Sequence, residues 1–313
     1  MKAILGTGQL GHAVMECLLK DNPNEDILLI NRRGKILQPL PANVQLLAAD
    51  VTDRHGLEFI ARDAEIIYSC TDAPYQEWST FYPSAGAALS YAISKTKAKL
   101  VFADNLYSYG NVHGAPIHEG MPHNAYTKKG KIRAAVLHVL LDREKAWSDR
   151  VAFVKAADFI GPRIHKGIFG RDFLDKLQSG KTISLFGNPH LPHTFTFIND
   201  FARAIVNVGN ADDALGQTWQ APNAPAISPD EWIALFEQRM NKTARVTHVP
   251  KVMVGMAGIF NSFVRELYEL AYQFEYPYLV MHDKYVNRFG DHSTSPERIV
   301  AETIDWFISS RQA

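Results

Sequence analysis

Cysteine is nearly absent from this chain, which has two, Cys17 and Cys70, among 313 residues. They make neither a disulfide framework nor a metal-ligand spacing, and they fit a reducing compartment, so a cytoplasmic location is expected. Net charge is missing as well: 33 basic residues balance 33 acidic ones, and no long run carries one sign. Nothing in this balance suggests the basic face with which proteins hold nucleic acid, and no nucleic-acid partner is expected. Long hydrophobic runs are missing too. The longest, Val252 to Val264, is broken by Gly255, Gly258, Asn261 and Ser262 and is too short to span a bilayer, so no membrane association is expected. The chain opens directly on a run read as an apolar strand, so no signal peptide is expected. No internal repeat or low-complexity segment occurs. Hydrophobic residues make up 46%, enough for a sizeable core in one large domain or two.

What is present is concentrated in residues 1 to 33. Met1-Lys2-Ala3-Ile4-Leu5 is a short apolar run suited to a buried strand, and Gly6-Thr7-Gly8-Gln9-Leu10-Gly11 follows at once. His12 to Lys20 carries helical apolar spacing, and Asp26 to Asn31 is a second strand around Ile27-Leu28-Leu29-Ile30. A glycine fingerprint between a strand and a helix, with a second strand at the right distance, predicts a dinucleotide-binding βαβ unit. The glycines serve a tight turn, close approach to a pyrophosphate, and close helix–strand packing. The helix N-terminus offers unpaired N–H groups and partial positive charge to that pyrophosphate.

The end of the second strand bears on which nucleotide binds. An NAD site places an acidic residue there for the ribose hydroxyls. Here Asn31-Arg32-Arg33-Gly34 occupies the place, with no carboxylate until Asp50. Two guanidiniums suit a 2′-phosphate through bidentate, charge-assisted hydrogen bonds, which favours NADP(H) over NAD(H). Two solvated surface arginines are the alternative.

Strand–helix alternation continues. Val44 to Ala48, Glu65 to Cys70, Lys99 to Ala103 and Val151 to Lys155 read as strands; Leu57 to Ala61, Ser84 to Ser94 and Ile132 to Trp147 read as helical. Such alternation predicts an α/β fold, a doubly wound parallel sheet of the Rossmann kind with ligands at the carboxyl ends of its strands. After Gly161-Pro162 the pattern loosens. Phe169 to Gln178 reads as a helix, Thr182 to Phe186 and Thr194 to Ile198 as short strands. Asn199-Asp200 suits an N-cap for a helix over Phe201 to Val208, and Ser228-Pro229-Asp230-Glu231 a capping box. The expected division is 1–160 as the dinucleotide-binding domain, with 199–222 packing back on it. Residues 161–313 are expected to be mainly a smaller, irregular, substrate-binding C-terminal region over the sheet edge.

Taken together, the glycine turn, Asp50-Val51-Thr52-Asp53, Asp104-Asn105-Leu106-Tyr107-Ser108-Tyr109-Gly110, Phe159-Ile160-Gly161-Pro162 and His193 to Asp200 resemble an extended or atypical short-chain dehydrogenase/reductase of the NAD-dependent epimerase/dehydratase group. The resemblance covers nearly the whole chain. It implies chemistry by a tyrosine that moves a proton, a lysine four residues later that holds the nicotinamide ribose and lowers the tyrosine pKa, and a Ser/Thr that positions a carbonyl. The corresponding segment is Tyr126-Thr127-Lys128-Lys129-Gly130-Lys131. Counted back from Lys131, the tyrosine position holds Thr127, and the Ser/Thr position holds Asn105. The implied catalytic set is therefore Asn105, Thr127 and Lys131, with Tyr126 entering if it precedes the helix and swings inward, and Tyr107 and Tyr109 as loop candidates. Lys131 reads otherwise as a solvated lysine beside Lys128 and Lys129, Tyr126 as a packing residue, Asn105 as a turn former. The resemblance also sets Asp50 and Val51 against the adenine and the backbone of Ser69, Cys70 and Thr71 along the cofactor's ribose and phosphates. Asp72 to Trp78 departs from the family's small residues at a substrate entrance.

Twelve histidines do not amount to a metal site. Pro192 breaks any helical spacing between His190 and His193, and His113, His118 and His123 share only a loop. His193 stands where the family often has an arginine for a nucleotide-sugar phosphate, which argues against that substrate class. Met253, Met256, Phe260, Phe263 and Leu267 form a stripe at helical spacing, read as a packing face or a cap over an apolar pocket. The expected function is NADPH-dependent reduction of a small carbonyl substrate. The alternatives are an NAD(P)-binding sensor that has lost the catalytic pair and, third, a sugar-nucleotide epimerase or dehydratase. A homodimer through two long helices is common in such folds.

Overall fold

A parallel strand buried on both faces favours a run of apolar residues, and β1 (Lys2–Leu5) is buried throughout, its one charged side chain, Lys2, donating to Asn210 Oδ1 at 2.9 Å. In the computed structural model, which describes residues 1–249, 265, 266 and 268–312, β1 lies inside a seven-stranded sheet. Numbered along the chain, its other strands are β2 (Ile27–Asn31), β3 (Val44–Ala48), β4 (Ile66–Ser69), β5 (Lys99–Asn105), β6 (Val151–Ala156) and β10 (Thr218–Gln220). They run in the order β10-β6-β5-β4-β1-β2-β3, and every pairing is parallel. The order reverses at β1 and β4, and the crevice outside their carboxyl ends is where such sheets take ligands.

One sheet face packs against α2 (Arg54–Asp63), α3 (Trp78–Lys95) and α4 (Lys128–Leu140). Leu57, Ile60, Leu89, Ile93, Val136 and Leu140 meet Ala3, Leu5, Ile67, Leu100 and Phe153 in a single core cluster. α1 (Gln9–Asp21) and α6 (Ile198–Gly209) cover the other side, linked by an Asp21–Arg203 ion pair. Two sequence expectations are corrected here. The helix expected from Ile132 to Trp147 ends at Leu140, because the Asp142 carboxylate accepts from Glu144 N and turns the chain into a 3-10 turn, Ala146–Arg150. α6 starts at Ile198, ahead of the expected Asn199-Asp200 cap, because Asp200 accepts instead from Thr294 N and Oγ1 at 2.7 and 2.8 Å.

The chain divides into two compact units. The first holds residues 1–108, 123–156 and 201–221 and contains the sheet; the second holds 109–122, 157–200 and 222–313. In the second, β7 (Asp158–Ile160) pairs with β9 (Phe195–Phe197), and β8 (Thr182–Phe186) with β11 (Arg245–Val249), both parallel. Its helices include α5 (Arg171–Ser179), α7 (Pro229–Met240), α8 (Asp283–Phe289) and α9 (Pro296–Gln312). The expected capping box at Ser228 and Glu231 is formed. α9 is a regular helix in a stretch read as irregular, and its buried Ile299, Val300, Ile304 and Phe307 pack with Phe169, Phe173 and Trp232. The Met253 to Leu267 stripe lies outside the described residues.

Candidate active site

The turn after β1 is shaped by its glycines. Gly6 has φ +104°, where L side chains are strained, and a Cβ on it would stand 2.9 Å from the Cys70 carbonyl oxygen. A Cβ on Gly11 would come within 1.9 Å of the Gly6 oxygen, so the helix lies against the turn only with glycine there. Gly8 is the opposite case: nothing lies within 4 Å of its Cβ position. Gly8 is also the N-cap of α1, and no side chain caps the helix. Its first N–H groups therefore lack side-chain partners and carry the positive end of the helix dipole. Leu10 is buried behind the turn, Gln9 half-buried beside it. This is a cradle that fits a pyrophosphate.

Asn31 ties the second strand to that turn. Its Nδ2 donates to Thr7 Oγ1 at 2.9 Å and to the Lys35 carbonyl at 3.0 Å. Its Oδ1 accepts from Arg33 N and Gly34 N at 2.9 and 2.7 Å. The residue in the usual acidic position is thus a neutral turn-former, and Arg32 and Arg33 beside it are exposed. The Asp50 carboxyl is held below its usual range first by the Thr52 backbone N–H, then by the Thr52 hydroxyl, with the Arg32 charge adding a little. Val51 is buried next to it. Cys70 donates its N–H to the Leu5 carbonyl at 2.9 Å, and burial pushes its thiol well up, so the backbone is the part of Cys70 that borders the turn.

The second half of the site lies at the carboxyl end of β5 and the start of α4. Thr127 is the N-cap of α4, its hydroxyl accepting from Gly130 N at 3.1 Å. A Cβ on Gly130 would lie 2.4 Å from both the Tyr107 carbonyl oxygen and Ala125 Cβ, so this helix start is pressed onto the loop after β5. Asn105 Oδ1 accepts from Tyr107 N at 3.1 Å, and the Asn105 carbonyl accepts from Lys155 Nζ at 3.1 Å. Asn105 thus holds the Tyr107 N–H, and Gly130, whose N–H the Thr127 hydroxyl accepts, packs on the Tyr107 carbonyl. Tyr126, next to Thr127 in the chain, is 59% exposed, and Lys131, whose backbone N–H donates to the Thr127 carbonyl at 3.0 Å, is also exposed.

Two groups of residues here were not singled out from the sequence, Tyr107 alone excepted. Lys129, read as one of three solvated lysines, is only 1% exposed, its ammonium 5.0 Å from the centroid of the Tyr75 ring. The Tyr75 and Tyr107 hydroxyls are 3.1 Å apart, and Trp78 stacks on Tyr107. The signal was there: Lys129, Arg133, Val136 or Leu137, and Leu140 repeat at three- and four-residue steps, the buried face of a helix. Beneath them, Asp104 at the end of β5 is gripped by Arg133 from α4 and Lys155 from β6. Burial alone would raise the Asp104 carboxyl, but the two cations hold it below its usual range. Lys155 Nζ also donates to Ser108 Oγ at 3.1 Å, which leaves the serine proton for His123 Nδ1 at 3.0 Å. Burial, then the Lys155 charge, pushes the His123 pKa down to about 4, so the imidazole is neutral at pH 7. A lysine inside the otherwise apolar run Val151 to Ala156 was the visible sign.

In the second unit His193 is 3% exposed. Its Nε2 lies 2.9 Å from Asp158 Oδ2, and its ring is stacked between Phe274 and Tyr278 at centroid distances of 4.7 and 4.9 Å.

The model of the NAD dependent epimerase/dehydratase family matches residues 4–220. No curated protein matches the chain in sequence. Among solved structures, a dTDP-glucose 4,6-dehydratase from Bacillus anthracis in complex with NAD superposes with a TM-score of 0.81 at 15% identity, over 100% of this chain and 98% of that one. The dTDP-glucose 4,6-dehydratase DesIV of Streptomyces venezuelae gives 0.80 at 14%, over 100% and 98%. A UDP-glucuronic acid 4-epimerase from Bacillus cereus in complex with NAD gives 0.78 at 14%, over 99% of each chain. At such identities the likeness is one of fold. Among the described residues no helix is long and apolar enough to cross a membrane.

Proposed function

This chain belongs to the NAD-dependent epimerase/dehydratase family, and on that footing we propose that it is an oxidoreductase that binds NADP(H) and reduces the carbonyl of a small, largely apolar or modestly polar substrate. The carrying observation is the helix start at Gly8, without a side-chain cap and open, beside a strand end where Asn31-Arg32-Arg33 replaces a carboxylate. Residues Gly6 to Gly11 would hold the pyrophosphate, Arg32 and Arg33 the 2′-phosphate, Asp50 and Val51 the adenine, and the Cys70 backbone the ribose and phosphates. The bound nicotinamide would supply hydride. Asn105 would orient the carbonyl, Lys131 would anchor the nicotinamide ribose, and Thr127 would fix the helix start that carries it. The proton would come from Tyr126 or a tyrosine in the loop after β5. Neither cysteine is in a disulfide, which fits a reducing, cytoplasmic setting. A homodimer fits this reading.

Two further readings each have an observation behind them. The exposure of Tyr126 and Lys131 favours a nucleotide-binding sensor without turnover. The end-to-end likeness to sugar-nucleotide enzymes favours an epimerase or dehydratase. Following NADPH absorbance with a panel of aldehydes and ketones separates them. Consumption with a simple carbonyl supports the reductase. NADPH binding with no turnover on that panel, or on nucleotide sugars, favours the sensor.

A further inference from the structure

Tyr75, Tyr107 and Lys129 come from three elements that meet at the carboxyl edge of the sheet. Tyr75 begins a 3-10 turn (Tyr75–Glu77) after β4, Tyr107 begins another (Tyr107–Tyr109) after β5, and Lys129 is in the first turn of α4. Their juxtaposition is built. Asn105 Oδ1 holds Tyr107 N, Gly130 lets α4 press on the Tyr107 carbonyl, and Trp78 packs on both tyrosine rings, at 5.0 Å from Tyr75 and 6.0 Å from Tyr107. The Trp78 indole is itself fixed by a 2.9 Å bond to the Ala73 carbonyl. Neither tyrosine is fully buried, whereas Lys129 is. A buried ammonium beside a phenol stabilises the phenolate, and a second phenol in hydrogen-bond reach can pass a proton on.

We infer that the hydroxyl-paired Tyr107 and Tyr75, with the buried ammonium of Lys129 over the Tyr75 ring, are the proton-donating group of the reaction in place of a tyrosine–lysine pair on α4. The inference rests on the carbonyl-reductase reading. The bound dinucleotide would supply hydride to the carbonyl carbon; at the protein's own residues the Tyr107 O–H bond would break and its proton would go to the carbonyl oxygen, the products being an alcohol and the oxidised dinucleotide. The Tyr107 oxyanion takes a proton from Tyr75 across their hydrogen bond, and Tyr75 recovers one from water. Tyr107 is placed as the donor because its own backbone N–H is held by Asn105, the residue that orients the carbonyl. Tyr75 and Lys129 are positioning residues: one relays the proton, the other steadies the negative charge.

The test that needs no activity is nitration by tetranitromethane, which attacks phenolates, with the modified residues mapped by peptide mass. The inference expects Tyr75 or Tyr107 to react at least fivefold faster than Tyr126, Tyr268 or Tyr276, although those are 59%, 42% and 41% exposed. Lys129→Met should abolish that preference and Lys129→Arg restore it. Nitration in the order of exposure, with Tyr75 and Tyr107 last, overturns the inference. In turnover, Tyr107→Phe should lower kcat at least a hundredfold while NADPH affinity stays within twofold, and Tyr75→Phe should lower kcat with KM unchanged and alter its pH profile. A Tyr107→Phe protein within threefold of the native rate also overturns it. If nitration prefers the pair and no carbonyl consumes NADPH, the reductase reading fails and the activated pair stands.

Discussion

Two helices begin at the carboxyl edge of the same sheet, and they begin in opposite ways. α1 starts at a glycine with open space around it and no side-chain cap. α4 starts at a threonine that caps it, with Gly130 wedged against Tyr107 and Ala125. A helix start with glycine in place of a capping side chain gives up only a few tenths of a kcal/mol of capping and keeps its N–H groups for an anion. A capped and packed start has no such groups to offer. What it offers is position: Lys129 and Arg133, one turn apart, are carried into the protein as fixed cations. One start is arranged to receive a ligand's charge, the other to supply charge of its own.

The sharpest way to break the second start is to remove its counter-charge. Asp104→Ala leaves Arg133 and Lys155 buried without a partner and should cost about 3–5 kcal/mol, read as a lower midpoint in urea unfolding; a loss under about 1 kcal/mol would mean that the cluster is hydrated. Next come the two packed glycines. Gly11→Ala and Gly130→Ala should each destabilise by about 3 kcal/mol through backbone overlap, but only Gly11→Ala should abolish dinucleotide binding in whatever protein remains folded. Exchanging the caps has a smaller effect and separates the roles more cleanly. Thr127→Ala should cost about 1 kcal/mol, and Gly8→Ser should gain a few tenths of a kcal/mol. Gly8→Ser should still weaken NADPH more than tenfold by filling the open space, as Thr127→Ala should not. The smallest effect is on pH dependence. With a folded pKa of about 4 against the ordinary 6.5, His123 contributes stability that is present above about pH 6.5 and lost as the pH falls toward 4. His123→Gln should therefore flatten the fall in Tm between pH 7 and 4.5, and parallel curves for the two proteins would show that His123 is not held neutral.

The sequence was most legible where the physics is local. Strand β1, the glycine turn and β2 follow one another within 31 residues, and each is set by neighbours in the chain. The Ser228 capping box was readable for the same reason. The cluster under α4 was not, because Asp104 meets Arg133 and Lys155 across sequence separations of 29 and 51 residues. Charge alone made Lys129 look like its solvated neighbours. Only its phase on the helix, in step with Arg133 and Leu140, marks it as buried. α9 escaped notice although Ser295-Pro296-Glu297 has the form of a helix start with proline at its first position. The roles of Tyr126, Lys131, Asn105 and Thr127 rest on register in a resemblance, which a shift of one residue alters.

The central claim is that the open helix start, with Arg32 and Arg33 beside it, binds NADP(H). The measurement that meets it most directly is titration of the purified protein with NADPH and with NADH by nicotinamide fluorescence, repeated on Arg32→Ala/Arg33→Ala. Micromolar NADPH binding is expected, with much weaker NADH binding and a difference that collapses in the double variant because NADPH alone weakens. Equal affinity for the two nucleotides, or equal losses on removing the arginines, would contradict the NADP assignment, and weak binding of both would contradict the claim itself.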